Sequence, residues 1–437
     1  MLKYFFDSHM HAMNLNHPNF ISLVNSVTNG FTEFVTSGML SPGYLLTPAN
    51  RGQQGLVTIL NMFSVFERPI GEIFAMMEDD LCGQYSHPPV PKGKQPANLM
   101  YPAQSFIREG KFHFRNKVYD KVALNPLVMD FSKNQDEWGR SYYTSEQQDK
   151  ILDYVKDTLD GIEWYRNIRP EGLLEFFPFL GINPEVHTAD FIQKLLDTYV
   201  RTDHAAQWNS KQSNGQKHFR GIKLYPPLGT NPWPEDPVKL EKIRLIYGFC
   251  ESMDLPIITH CDDQGFRGIT AKLAQQYTSP ESWIPVFEHY PHIRIDFAHY
   301  GKQYNPLAKS PLKALNDNIA DDPWFKELME LMRRYEQVYA DFSFSGTDPR
   351  FYEQLKTFID GEKDGKLVHT VLEHSMFGSD FTVNLAKVES YTNYYSIFEN
   401  SPFTSEEIEG FASRNPVRFL GLQDAPKRRW GHNGNAG

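Results

Sequence analysis

Short, nearly unbroken apolar runs recur along the chain at residues 4–8, 122–131, 173–181, 221–225, 256–260, 293–299, 338–344 and 375–380. Runs of this length without strict alternation are expected of parallel strands buried on both faces. Between them the apolar positions fall near a period of 3.6. Residues 145–166 place Ile151, Tyr154, Val155, Leu159 and Ile162 on one face. Residues 240–253 do so with Ile243, Ile246, Phe249 and Cys250, and residues 323–336 with Trp324, Leu328, Leu331 and Met332. Strand and helix patterns in alternation predict a parallel sheet, and eight strand runs predict an α/β fold of the (β/α)8 TIM-barrel type. Near the end, Thr404-Ser405-Glu406-Glu407 reads as a capping box opening a helix.

One stretch breaks the alternation. Residues 13–121 are too long for a single βα connection. The spacing predicts a helix over 53–81, with Leu56, Ile59, Leu60, Phe63, Ile73, Phe74 and Met77 as its apolar positions. The rest is rich in Pro, Gly and Asn, most of all at 87–102. The segment therefore reads as a long, mostly helical insertion after the first strand of one domain spanning 1–422, either a cap over the mouth or a peripheral packing layer. Phe63, Phe66, Phe74, Met76 and Met77 would supply an apolar wall to a pocket. Residues 423–437 are basic and Gly-rich and read as a disordered tail.

Composition narrows the class. At 40% hydrophobic and 22% charged residues, the 437-residue chain can build a packed core rather than remain disordered. A formal charge of -10 argues against a nucleic-acid partner, which needs a basic surface. Three cysteines, Cys82, Cys250 and Cys261, form no C-x-x-C pair and no even disulfide framework. The N-terminus has no secretory pattern and no run reaches a membrane span, so the expectation is a cytoplasmic protein without a membrane partner. The expected partner is a small-molecule substrate with a hydrophobic part, and a homo-oligomer is compatible with the sequence.

Candidate chemistry clusters where the strand runs end. Asp7-Ser8-His9-Met10-His11 closes the first run. Side chains two apart on a strand share a side, so His9 and His11 can offer imidazole nitrogens to one ion, with Asp7 placed to orient them. Alone, H-x-H is a weak signal. His260 follows the run Leu255-Pro256-Ile257-Ile258, His299 follows Ile293–Phe297, and Asp380 follows Met376-Phe377. In a barrel all these ends face one side, where catalytic residues gather. Each residue taken singly reads equally well as a satisfied histidine or a helix-capping aspartate. Four such residues at four strand ends make that reading a poor one.

The pieces DSHMH, GIKLYPP, LPIITHC, IRIDFAHYG, VYADFSFS, MFGSDF and RNPVRFLGL stand in an order that resembles the amidohydrolase-related family of metal-dependent hydrolases and decarboxylases. The resemblance covers the strands but not the insertion. It implies a metal held by His9, His11, His260 and Asp380, with His299 polarising the substrate or binding a second ion. It further implies that Asp380 is the proton acceptor in hydrolysis of an amide, ester or lactone-type bond by a metal-activated water. Non-oxidative decarboxylation of an unsaturated or aromatic acid is the alternative activity, and a non-catalytic metal-binding barrel the second alternative. Zinc suits three histidines and a carboxylate, with Mn2+ or Fe2+ as alternatives. Lys223 reads two ways: carboxylated and bridging two ions, or an ordinary lysine beside a carboxylate or substrate. The second, with one metal, is the expectation. Arg267 and Tyr225 are weaker candidates for substrate contact. His374 is expected to be structural, and His87, His113, His187, His204, His218, His289 and His292 to be ordinary surface or loop residues.

Overall fold

The computed structural model of the chain describes residues 3–14, 64–83, 105–132, 147–200, 218–304 and 318–422. Strand β1 (Tyr4–Met10) is followed by helix α1 (Ile70–Leu81), then strands β2 (Ile107–Arg108), β3 (Lys111–Phe114), β4 (Lys117–Tyr119) and β5 (Lys121–Pro126). Alternation then sets in: α2 (Gln147–Ile168), β6 (Leu174–Phe176), β7 (Phe179–Gly181), α3 (Ala189–Tyr199), β8 (Gly221–Leu224), α4 (Pro237–Ser252) and β9 (Ile257–Thr259). It continues with α5 (Ala271–Thr278), α6 (Ile284–His289), β10 (Ile295–Phe297), α7 (Pro323–Arg334) and β11 (Val338–Asp341). Helices α8 (Pro349–Gly361) and α9 (Gly365–His374) precede β12 (Ser375–Met376), and α10 (Tyr391–Glu399), α11 (Ser405–Glu409) and α12 (Asn415–Phe419) follow it.

Every apolar run contains a strand. The run at 173–181 holds two, because Pro178 has no N–H to give to a ladder and interrupts it. Strands β1, β5 and β6 form one parallel sheet, and β7 to β12 pair consecutively in another. Parallel bridges join the two sheets on both sides, Met10 to Phe381 and Leu127 to Phe179. The protein is thus an α/β molecule built on parallel sheets. Two apolar layers sandwich the strands. A small cluster gathers Phe6, Ala123, Phe179, Ile258, Tyr339 and Met376 from strands of both sheets, with Phe419 and Leu420 closing one end. A much larger cluster lies between the strands and the helices.

Local chemistry explains the helix ends. Asp236 caps α4 through the backbone N–H groups of Val238 and Lys239, with Pro237 at the first helical position. Thr404 and Glu407 form the capping box that the sequence predicts. The helix expected over 53–81 is not continuous: residues 64–66 are helical, and α1 begins only at Ile70. Pro69 disfavours helical backbone at Arg68 and restarts the helix after itself. Residues 53–63 lie outside the described residues, as do 87–102 and the tail at 423–437.

The described part of the insertion packs against the core. Helix α1 meets α2 at Gly71 and Gly161, where a Cβ on Gly161 would come within 2.9 Å of the Gly71 nitrogen. Phe66, Phe74 and Met77 are buried in the large cluster and Met76 packs on it. The β3–β4 hairpin lies against β1, with the Phe5 ring 4.8 Å from both Phe112 and Phe114. Arg115 in the hairpin turn donates to the carbonyls of Glu399, Ser401 and Phe403. Arg115→Ala leaves three acceptors without their donor and is expected to cost about 1–3 kcal/mol. Urea denaturation checks this, and an unchanged midpoint would show that the strap contributes nothing.

Candidate metal centre

β1 brings two of the candidate residues together, though not by simple alternation. Its register against β5 shifts between Asp7 and Met10. Asp7 therefore does not accompany His9 and His11. It is directed to the helical layer, where its Oδ2 accepts from the Tyr391 hydroxyl at 2.8 Å. Its Oδ1 accepts from the Ser379 N–H at 2.8 Å. Asp7 thus supports the backbone that leads into Asp380 rather than an imidazole. The expected orienting role falls instead to Asp341, at the end of β11, whose Oδ2 lies 2.7 Å from His9 Nδ1. Asp341 also accepts from the Ser343 N–H at 2.9 Å. Burial, the largest single influence, would raise its carboxyl, but His9, His299 and a hydrogen bond from Asp296 together hold it well below the usual range.

The proton positions around Asp380 decide what the group can hold. Burial pushes His9 down to about 3, so its ring is neutral near pH 7. An ionised carboxylate accepts only, so the His9 proton sits on Nδ1 and Nε2 is a bare lone pair. That lone pair faces Asp380 Oδ1 at 3.5 Å. Neither atom has a hydrogen-bond partner among the described residues, although both are buried. His11 brings a second imidazole to the same oxygen. Its Nδ1 donates to the Leu127 carbonyl at 3.3 Å and its Nε2 lies 3.2 Å from the same Asp380 oxygen. Lone pairs converging on a carboxylate oxygen in a buried site are mutually repulsive without a cation between them. His9, His11 and Asp380 fit a divalent metal.

His260 and His299 form a second group with Asp262. His260 Nε2 points at acceptors, Asp262 Oδ1 at 2.9 Å and the Gln264 carbonyl at 3.1 Å, so it carries the proton. His299 Nδ1 faces the Ser343 carbonyl at 2.9 Å and is likewise protonated. The remaining nitrogens, His260 Nδ1 and His299 Nε2, stand 3.1 Å apart. Two neutral imidazoles there oppose lone pairs, which again calls for a proton or an ion. The two groups adjoin, with the His9 and His299 rings 5.2 Å apart. The expected ligands His9, His11 and Asp380 thus sit in one group and His260 in the neighbouring one.

His299, Phe344 and Asp380 all have left-handed backbones, with φ of 65°, 56° and 61°. Such conformations persist where surrounding structure enforces them, as at Asp380, whose N–H donates to the His9 carbonyl at 2.8 Å. Lys223 is buried beneath the centre and its Nζ has no hydrogen-bond partner among the described residues. Burial pulls its ammonium down to about 8, while Asp341, Asp380, Asp296 and Asp262 counter that pull. Asp296 is buried, and burial followed by the Asp341 charge pushes its carboxyl well up.

A cleft open to solvent lies over both groups. His11, His260, His299, Asp262, Asp380 and Tyr225 supply its polar lining, and Met13, Met129, Phe266, Phe344 and Val383 its apolar lining. Tyr225 also accepts from the Phe266 N–H at 3.0 Å. Arg267 is not among the lining residues and donates to the Asp263 carbonyl at 3.3 Å. Phe66, Phe74, Met76 and Met77 do not form the expected apolar wall, since among the described residues those side chains serve the core; Phe63 lies outside the described residues. His374 is structural as expected, stacked on Tyr339 at 4.4 Å. His187 departs from expectation: it is buried, with Nε2 2.7 Å from Asp130. That ion-pairing partner is distant in sequence, and the polar context of His187 does not reveal it. His87 and His204 lie outside the described residues.

Sequence reasoning missed Asp341, Asp262, Tyr304 and Lys387. Asp341 had a usable signal, a carboxylate ending the apolar run Val338-Tyr339-Ala340. Partners that fix a ligand imidazole typically contribute 10–100-fold to metal affinity. Asp341→Asn is therefore expected to lower affinity by roughly that factor. Competition with a chromophoric chelator measures it, and undiminished affinity would show that Asp341 does not tune His9.

Strand ends that present paired histidines and carboxylates to one cleft are the mark of an α/β metalloenzyme. The Amidohydrolase family matches residues 201–422, just over half of the chain, and the chain belongs to that family. Its members are metal-dependent enzymes that act on small molecules. The matched span includes Lys223, His260, His299 and Asp380, while His9 and His11 precede it. No curated protein matches the sequence. Among solved structures, a probable 2-pyrone-4,6-dicarboxylic acid hydrolase from Acinetobacter baumannii is similar at 14% identity and a TM-score of 0.40, over 69% of this chain and 84% of that one. A 2,6-dihydroxybenzoate decarboxylase from Rhizobium is similar at 12% identity and 0.38, over 69% and 84%. A zinc-bound amidohydrolase from Burkholderia ambifaria is similar at 12% identity and 0.40, over 97% and 86%.

Proposed function

We propose that the chain is a hydrolase that cleaves an amide, ester or lactone-type bond in a small molecule with an apolar part. It uses one divalent metal, zinc in preference to manganese or iron, held by His9, His11, His260 and Asp380. The fold proposed is a closed (β/α)8 barrel within a single domain over 1–422. Closure is supported by the bridges at both sides of the sheets and by the small cluster drawn from both. The segment 13–121 is an insertion in that domain.

The observation that carries the reading is the bare His9 Nε2 facing, in a buried site, an Asp380 oxygen with no hydrogen-bond partner among the described residues. A divalent ion held by His9, His11, His260 and Asp380 would supply Lewis acidity, enough to let water ionise near neutral pH. Asp380 turns one oxygen to the histidines and takes the water proton on the other. It then passes that proton to the leaving nitrogen or oxygen as the carbonyl–heteroatom bond breaks. His299, which lines the cleft beside Asp380, stabilises the developing oxyanion. Lys223 stays an unmodified amine beneath the centre, its pKa of about 8 leaving it mostly cationic at neutral pH.

Turnover should disappear after dialysis against a chelator and return with one equivalent of Zn2+, scored on a panel of aryl esters, lactones and amides. CO2 release from an unsaturated or aromatic acid, with no hydrolysis, would make the protein a decarboxylase. Full metal occupancy without turnover across both panels would leave a binding protein.

A further inference from the structure

One cation in the cleft has no counter-ion among the described residues. Lys387 follows a short 3-10 turn, Val383–Ala386, beyond Asp380 and lines the same cleft as His11, His260 and Asp380. Its Nζ stands 4.4 Å from the Phe344 ring centre and 4.6 Å from that of Tyr304. Among the described residues it forms no ion pair. Its neighbouring charges are engaged elsewhere. Asp348 is bound by Arg350 at 2.6 Å, and Asp262 by His260 at 2.9 Å. Lys302, the other lysine beside Tyr304, pairs with Asp322 at 3.2 Å. The side chain is half-buried, and desolvation by its surroundings pulls its ammonium down to about 8, so it is still mostly charged at neutral pH.

We propose that Lys387 binds a carboxylate of the substrate, which makes the substrate an aromatic or similarly apolar carboxylic acid that carries the hydrolysable bond. The proposal rests on the hydrolase reading for the bond and on the cleft itself for the acid. Ring faces offset part of the cost of removing an ammonium from water, but they leave its charge unpaired. An incoming carboxylate completes the pair, while its apolar body lies against Phe344 and Phe266. Phosphate fits less well. Among the described residues the cleft lining offers a single lysine, and the ionised Asp262 and Asp380 there repel a dianion more strongly than a monoanion.

Benzoate and its neutral isostere benzamide probe this directly. Their affinities are to be measured by ligand-observed NMR on metal-loaded protein, on metal-free protein, and on Lys387→Met and Lys387→Arg, with circular dichroism checking the fold. Wild type should prefer benzoate by roughly tenfold or more, as a charge-assisted hydrogen bond implies. The preference should survive metal removal, vanish in Lys387→Met and persist in Lys387→Arg. No preference in wild type, a preference that disappears with the metal, or one undiminished in Lys387→Met overturns the proposal. None of these outcomes touches the hydrolase reading, which fails separately if chelation leaves turnover intact.

Discussion

Asp380→Asn is expected to keep much of its metal and to lose turnover by about 10²–10⁴-fold or more, the range general acid–base groups contribute. The backbone there is fixed independently of the carboxylate. The Asp380 N–H donates to the His9 carbonyl, and its own carbonyl accepts from Asn384 at 3.0 Å. Asparagine therefore fits the same shape, and its amide oxygen can still face the histidines. It cannot take a proton from water at neutral pH. The contrast between retained metal and lost rate isolates proton transfer from metal holding. His299→Asn should also slow turnover while sparing the metal, if His299 acts by polarisation. Steady-state kinetics on metal-quantified protein reads both. A near wild-type kcat in Asp380→Asn would remove Asp380 from the mechanism. Loss of all metal in that variant would show a structural role alone, and the base would lie elsewhere.

Much of the architecture was legible because buried parallel strands write themselves as apolar runs. All eight runs contain strands, and the residues that end them, His9, His11, His260, His299 and Asp380, reach two adjoining groups beside one cleft. What escaped depends on relations that no window of sequence contains. The bulge in β1 sends Asp7 away from His11, and strict alternation cannot anticipate a register shift. Asp341 reaches His9 only because β11 and β1 lie in one assembly, at opposite ends of the chain. Pro69 was visible yet overridden by the apolar period on either side of it. Lys387 has no local mark at all: its significance lies in the carboxylates that fail to reach it, which is a property of the folded cleft.

The double variant His9→Ala/His11→Ala carries the other large effect. Each histidine gives the centre one bare Nε2, and each is held in that tautomer by its own acceptor, Asp341 for His9 and the Leu127 carbonyl for His11. Removing both leaves Asp380 with neither imidazole of its group, and turnover should fall with the metal. The loss should not come from unfolding. The variant deletes polar rings from the cleft floor, while Phe5 and Phe6 of the same strand stay in the two apolar layers. Matching circular dichroism spectra would establish that. The most direct measurement is elemental analysis of purified wild type and double variant. The account predicts close to one divalent ion per chain in wild type and none in the variant. Full occupancy in the variant, or no metal retained by wild type after loading with Zn2+, would contradict it.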